Sequence, residues 1–449
     1  MFSTLPIEGR WHICGESSEA SYGRLFLDPE EGLKLEVKEI KVRHLQDLLT
    51  RSEKKDDERP LVIQGYNSNN VPIRLFGCVP SGSNRSMGLA SYTYSVARAV
   101  TNLGDVKWAQ IVGKKFYFTL GFLDRWVNPS GDVADPDGPC VDCDYETEQL
   151  KLTVGATRFY NEIRGNSVRE SHWIAFDFPN AVSVKETLNE KSWALSLLLS
   201  LLAGRTMRVS SFQFTNEGDH ADLTSDVLMA FKQGEKPAPD KKLRMRSVFN
   251  DVKESFGVMV GKWLSMIMDE DMRQVLKLYT ALKYHQLYIG AHFLLVAQAL
   301  EAYHTACRRF STTKWPETEF NELKQRVKAA LLKEDLKKLG GLISGANNKS
   351  FAERLLEVCE DAPAQARKIV PDFKSFVETV KDNRNAYTHH VGKQAHAKRL
   401  REGALCSLAR QGMALLELLL LRDAMAPAKV LDDIVRVHKT AIYYDLSEE

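Results

Sequence analysis

Two periodicities divide the chain. Up to about Asp240, apolar and polar residues alternate over short runs: Arg24–Leu27, Leu33–Lys38, Leu61–Tyr66, Val71–Val79, Ala109–Leu120 and Leu150–Tyr160. These runs are rich in β-branched and aromatic residues and are punctuated by Gly, Asn, Pro and Ser, the pattern of strands that bury one face. Frequent short strands predict a mainly antiparallel sheet, as a sandwich or a barrel-like closure. One helix interrupts them, Trp193–Ala203, with Gly204 placed to stop it.

After the Pro-containing hinge Gly234–Asp240 the period lengthens to that of helices. Helices are predicted over Ser247–Asp269, Glu270–Lys283, Leu287–Phe310, Glu317–Lys333, Ser350–Cys359, Phe373–His390 and Ala397–Met425. The expected fold class is therefore α+β and multidomain. A β-rich N-terminal domain over 1–240, read as sensor or regulator, precedes an all-α helical bundle over 241–449.

Bulk properties narrow this little further. At 449 residues with 44% hydrophobic and 27% charged residues, the chain can bury sizeable cores. A net charge of +2 excludes a uniformly basic nucleic-acid coat and leaves local patches open. Seven scattered cysteines (Cys14, Cys78, Cys140, Cys143, Cys307, Cys359, Cys406) fit reduced, intracellular usage rather than a disulfide framework. The N-terminal stretch MFSTLPIEGRW lacks the basic-then-apolar order of a secretory leader. The eleven-residue apolar run Trp193–Ala203 falls short of the roughly 20 residues of a membrane span. A cytoplasmic protein without membrane contact is expected.

The densest chemistry lies at Lys381–Gly392, KDNRNAYTHHVG. The preceding Phe373, Phe376, Val377 and Val380 fall at i, i+3, i+4, i+7, so the cluster rides a helix docked on a core. Asn385 and His389 share a face at i, i+4. Arg384 and His389 are i, i+5, about 140° apart on a regular helix. The long Arg side chain near a helix end can close that gap, and so can two copies of the helix meeting across a two-fold axis. His390 lies about 240° from Arg384 and is the second choice. An imidazole can move protons near neutrality, and a guanidinium can hold a phosphate and stabilise charge growing on it. Without a carboxylate cluster for a metal, this set suits RNA cleavage in which the 2′-OH is the nucleophile. The plainer alternative is a helix C-terminus whose His and Arg face the negative end of the dipole, with no catalysis.

A second helix bears on the first. Within Leu287–Phe310, Gln298, Glu301, His304 and Arg308 recur on one face of an otherwise apolar helix. Such a stripe faces water or lines a site, and a buried Glu301 would need a partner, for which Arg384 is the candidate. Tyr387 and His304 are further supporting candidates. Arg308, Arg309, Lys393, Lys398, Arg399 and Arg401 are candidates to grip RNA phosphates locally.

The remaining motif, Cys140-x-x-Cys143, sits in the Pro/Gly/Asp-rich stretch Asn128–Tyr145, read as a surface loop. Zinc wants four ligands, and no second pair lies nearby, so Cys140 and Cys143 are weak zinc candidates. Asp132, Asp135, Asp137 and Asp142 are more simply a solvated acidic loop than a cation site. The chain has no Walker-type loop, dinucleotide fingerprint or HExxH, and no cofactor is expected.

Arg384-Asn385-Ala386-Tyr387-Thr388-His389 resembles the R-x4-6-H signature of the HEPN superfamily. With the upstream LLVAQALEAYH (Leu294–His304) it is similar to the ApeA-type HEPN group of anti-phage defence proteins. IEGRWHI (Ile7–Ile13) and YGRLFLDPEEGLKLEV (Tyr22–Val37) resemble the β-rich domain that precedes HEPN in that group. The resemblance thus covers both halves. It implies a ribonuclease acting on cellular RNA, with tRNA as a candidate, that halts growth by abortive infection when infection is sensed, a phage-derived activator being the candidate signal. It implies a homodimer pooling two motifs, with Arg384 and His389 catalytic, Asn385 supporting them and Glu301 ordering the site. The doubled His389-His390 leaves the motif histidine open. A HEPN module that binds RNA or a partner protein without cutting is the main alternative, and a ligand-binding regulatory protein is another.

Overall fold

The computed structural model describes residues 6–14, 20–28, 32–38, 61–86, 89–103, 105–130, 141–147, 150–161, 167–215, 224–229, 245–388 and 399–447. The chain divides into two compact units, Met1–Ser196 with Met207–Met245, and Leu197–Thr206 with Arg246–Glu449.

The first unit is antiparallel throughout its described pairings. Its strands are β1 (Ile7–Ile13), β2 (Ser21–Asp28), β3 (Gly32–Lys38), β4 (Leu61–Asn67), β5 (Pro72–Ser86), β6 (Leu89–Ser95), β7 (Arg98–Thr101), β8 (Val112–Leu120), β9 (Val141–Glu146), β10 (Lys151–Asn161), β11 (Ser167–Ser183), β12 (Val209–Thr215) and β13 (Thr224–Met229). They run in the order β4-β1-β2-β3-β6-β5-β7-β13-β12-β8-β11-β10-β9, and β4 also pairs with β5. That extra pairing closes the first six strands of the order into a ring, so the expected barrel-like closure is present and the remaining strands extend it as an open sheet. The ring is filled by the inward positions of alternating strands, among them Trp11, Leu25, Leu35, Val37, Ile63, Leu75 and Tyr94. Trp11 lies opposite Gly65 across β1–β4, where any side chain would collide with the indole.

Six of the thirteen strands were expected (β2, β3, β4, β5, β8 and β10); β1, β6, β7, β9, β11, β12 and β13 were not, and two of these have an identifiable opposing signal. The supposed loop Asn128–Tyr145 ends in a strand: β9 pairs with β10 at the edge of the sheet. Its sequence V-D-C-D-Y-E alternates with period two, and an edge strand tolerates the acids that made it look like a loop. Strand β11 was not expected because Pro179 interrupts it. The structure places Pro179 in the irregularity between Asp177 and Val182 in the β11–β8 pairing, where no ladder hydrogen bond is needed. The expected helix appears as α1 (Ser192–Ala203), whose part from Leu197 on belongs to the second unit; all of it but Trp193 is buried, and it stops at Gly204, whose φ is +71°.

The second unit is helical: α2 (Phe249–Val252), α3 (Phe256–Met268), α4 (Glu270–Tyr284), α5 (Ile289–Ala306), α6 (Glu317–Ala330), α7 (Lys333–Gly345), α8 (Phe351–Asp361), α9 (Phe373–Thr388), α10 (Glu402–Asp423) and α11 (Ala428–Ser447). The single helix expected over Ser247–Asp269 is split, because the Ser255 hydroxyl donates to the Val252 carbonyl and ends the first piece. Helices α7 and α11 were not expected. By length and composition α10 could cross a membrane, yet most of it is buried inside the protein. It is the axis of the bundle. Gly412 lets it approach α5 so closely that an added Cβ would lie 2.7 Å from Val296 Cγ1.

A buried charge fixes α10 in place. Glu417, 1% exposed, accepts from Arg246 (2.6 Å), Tyr279 (2.9 Å) and His438 (2.9 Å), with Lys283 at 3.8 Å. Burial alone would raise its pKa, but Arg246, Lys283 and His438 outweigh that and hold it well below the usual carboxylate range.

Candidate active site

Helix α9 docks through Phe373, Phe376, Val377, Val380, Asn383 and Ala386, extending the stripe read from the sequence. Its start is fixed by Asp372 Oδ1, which accepts from the Lys374 and Ser375 amides. Asn383 is a polar residue in that apolar register. Its Nδ2 donates to the Thr379 carbonyl and its Oδ1 accepts from the Leu400 amide, both at 2.9 Å. It is 1% exposed, so these bonds also satisfy an amide that burial would otherwise penalise. They tie the return of the chain at Leu400 to the end of α9.

Arg384 follows, at the margin of the buried face. Its Nη2 donates to Glu301 Oε2 on α5 at 3.0 Å, and its guanidinium lies 4.4 Å over the ring of Phe351 on α8. The other oxygen of Glu301 is 2.5 Å from Arg354 Nη2, also on α8. One carboxylate therefore bridges two guanidinium groups and leaves the trio with one net positive charge. The three side chains keep 33% (Arg384), 20% (Glu301) and 24% (Arg354) of their surface, enough to be reached from solvent. Helix α8 is positioned for this by a capping box between Ser350 and Glu353, which places Phe351 and Arg354 in its first turn.

Tyr387 is half-buried. Its ring centroid lies 6.2 Å from that of Phe293, Gly290 leaves room for its edge, and Arg399 sits 4.1 Å over its face. Asn385 is exposed. Thr388 caps the turn by donating to the Arg384 carbonyl at 2.8 Å.

The stripe on α5 splits. Glu301 turns to Arg384, whereas His304 is buried, stacks on Phe310 with centroids 4.7 Å apart, and bonds through Nε2 to Glu357 at 2.8 Å. Its Nδ1 is buried without a hydrogen-bond partner. Burial lowers the His304 pKa and Glu357 only partly offsets this, so the imidazole is held neutral. Gln298 is exposed. Arg308 is 94% exposed, 3.9 Å from Asp269. Arg309 pairs with Asp361 and Asp423 and donates to the Tyr303 hydroxyl, and its side chain stays 39% exposed. Arg401 is exposed at the N-cap of α10.

His389, His390, Lys393, Lys398 and Cys140 lie outside the described residues, as do Asp132, Asp135 and Asp137. Cys143 and Asp142 lie in β9. Among the described residues no group of three or more His, Cys, Asp and Glu is placed to hold a metal ion.

Sequence reasoning missed Arg354, Phe351 and Asn383. Asn383 could have been found, as the polar member of an apolar stripe. Nothing local to α8 singles out Arg354, whose role depends on α8 packing beside α5 and α9.

A helical bundle that sets an arginine from one helix against a carboxylate from another thus follows a β-rich unit in the chain. A family model described as Apea-like HEPN matches residues 294–429, and one described as ApeA N-terminal domain 1 matches residues 6–263. The chain belongs to the ApeA-like HEPN family, an anti-phage defence family carrying a HEPN module. No curated protein and no solved structure matches it.

Proposed function

We propose that the chain is a metal-independent endoribonuclease that cleaves cellular RNA, tRNA being one candidate, and so aborts phage infection in the cytoplasm. The observation that supports this is Arg384, fixed by Glu301 and Phe351 on a docked helix yet one-third exposed. In this reading Arg384 binds the scissile phosphate and stabilises the charge that grows on it. His389 is the acid/base group, and Asn385 orients it or the substrate. The 2′-oxygen attacks phosphorus and gives its proton to one imidazole. The P–O5′ bond breaks, and O5′ takes a proton from a second imidazole, supplied when two copies meet in a homodimer. The products are a cyclic 2′,3′-phosphate and a free 5′-OH. The β-rich unit senses the activator, taken to be phage-derived.

A second reading, a HEPN module that binds RNA or a protein without cutting, is favoured by one observation: Glu301 already occupies Arg384. Infection of cells carrying the wild-type chain, Arg384→Ala or His389→Ala separates the two. The ribonuclease reading expects protection and RNA fragments from the wild type alone. Equal protection by all three contradicts it.

A further inference from the structure

Glu301 holds its two arginines in an arrangement that a phosphodiester also satisfies. A carboxylate and a phosphate both present two anionic oxygens, and guanidinium groups bind either through paired N–H donors. Here one oxygen of Glu301 meets Arg384 and the other meets Arg354, at 3.0 and 2.5 Å. Both arginines and the glutamate remain partly exposed, so the contact is open to competition from solvent. Phe351 lies beneath the Arg384 guanidinium, and a capping box of Ser350 and Glu353 fixes the first turn of α8, which carries Arg354.

We infer that Arg354 is a second phosphate-binding residue of this site, and that in the free protein Glu301 occupies the seat that an RNA phosphodiester takes when it binds. The inference rests on the ribonuclease reading for its substrate, RNA, but not for its chemistry of anion binding. On entry of RNA the phosphate displaces the carboxylate from at least one guanidinium. Where both contacts break, two guanidinium groups face the phosphate and Glu301 is released to solvent. In the resting site Glu301 cancels one of the two positive charges, and its release on binding restores that charge. An unfilled arginine pair would attract any anion in the cell, and the resident carboxylate limits that.

The test is binding of a labelled single-stranded RNA of mixed sequence to the full chain carrying His389→Ala, across a series of NaCl concentrations. Arg354→Gln should weaken binding about tenfold and lower the slope of log affinity against log salt by about 1, as expected when one phosphate contact is lost. Glu301→Gln should do the opposite and tighten binding about fivefold, because it removes the competing charge and keeps an oxygen to order Arg384. Inorganic phosphate should compete with RNA for the parent and compete less for Arg354→Gln. An unchanged affinity and slope in Arg354→Gln, or weaker or equal binding in Glu301→Gln, overturns the inference. A purely structural Glu301–Arg354 pair predicts those results. If Arg354→Gln does not fold, Arg354→Lys takes its place: it keeps the charge but loses the paired N–H donors, so it should weaken binding with the slope unchanged, and an unchanged affinity overturns the inference.

The two readings fail separately. If the wild type cuts RNA, while Arg354→Gln binds as well as its His389→Ala parent and, made in the wild-type chain, cuts as well as the wild type, Arg354 has no such role and the ribonuclease reading stands. If the binding shifts appear but the wild type cuts no RNA, the ribonuclease reading falls and Arg354 remains an anion-binding residue.

Discussion

Glu301 and Arg384, 83 residues apart in sequence, meet at 3.0 Å between α5 and α9. Both side chains are partly exposed, and an ion pair in that setting contributes about 1 kcal/mol or less to stability. The contact orients Arg384 far more than it holds the bundle together. Arg384→Ala should therefore lower stability by only about 1–2 kcal/mol, including the lost stack on Phe351, while reducing RNA cleavage by about 100-fold or more. Denaturant unfolding and single-turnover cleavage on the same preparation check this. A large loss of stability with cleavage retained per folded molecule would reverse the assignment.

Gly290 and Tyr387 form a second contact between the same helices. A Cβ at position 290 would lie 2.8 Å from Tyr387 Cε1, so the ring must move. Gly290→Ala should destabilise the helical unit by about 1–3 kcal/mol, as overpacking does. Because Arg399 lies over that ring, the variant should also weaken RNA binding if Arg399 touches phosphate. Thermal unfolding followed by circular dichroism gives the first value. An unchanged midpoint would mean that the Tyr387 ring has room to retreat.

His304 makes the helical unit sensitive to mild acid. Its folded pKa is depressed by burial, so the unfolded chain takes up the proton more readily than the folded one. The stability it supplies is present above its unfolded pKa, about 6.5, and is lost as pH falls through its lower folded value. The urea midpoint of the wild type should drop between about pH 7 and 5, and His304→Gln should lessen that drop. Parallel pH profiles for the two proteins would exclude His304 as the cause.

Glu417 gives a larger effect at lower pH. Arg246, Lys283 and His438 hold its folded pKa below that of the unfolded chain, so its contribution is present above about pH 4.3 and lost as pH falls below it. Glu417→Ala leaves Arg246 and Lys283 buried without their counter-charge and should cost about 3–5 kcal/mol, enough to reduce soluble yield. A variant as stable as the wild type would show that the cavity admits water or a replacement anion.

The fold was legible where one period ran unbroken. The alternation in β2, β3 and β4 and the stripe from Phe373 to Val380 told strand from helix, and Gly204 marked a helix end correctly. Legibility failed where a local signal opposed the pairing: Pro179 hid β11, and acids hid β9 because an edge strand can carry them. Helix α11 was readable, since Val430, Leu431, Ile434, Val435 and His438 recur at helical spacing and are buried, yet it was not read. At the site, an otherwise apolar helix bearing Glu301 pointed to Arg384 as its partner. Arg354 gave no such sign, because its meeting with Glu301 is a product of helix packing. The burial of Arg246, the last residue of the basic stretch KKLRMR, was equally hidden, since its counter-charge lies 171 residues later.

Arg384 and His389 are proposed to cut RNA without a metal. Purified full-length protein, activated by extract from phage-infected cells, should cleave total RNA in the presence of EDTA and leave 2′,3′-cyclic phosphate ends. Arg384→Ala and His389→Ala, equally folded, should leave the RNA intact. Cleavage that stops on chelation, or that survives either substitution, would contradict the account.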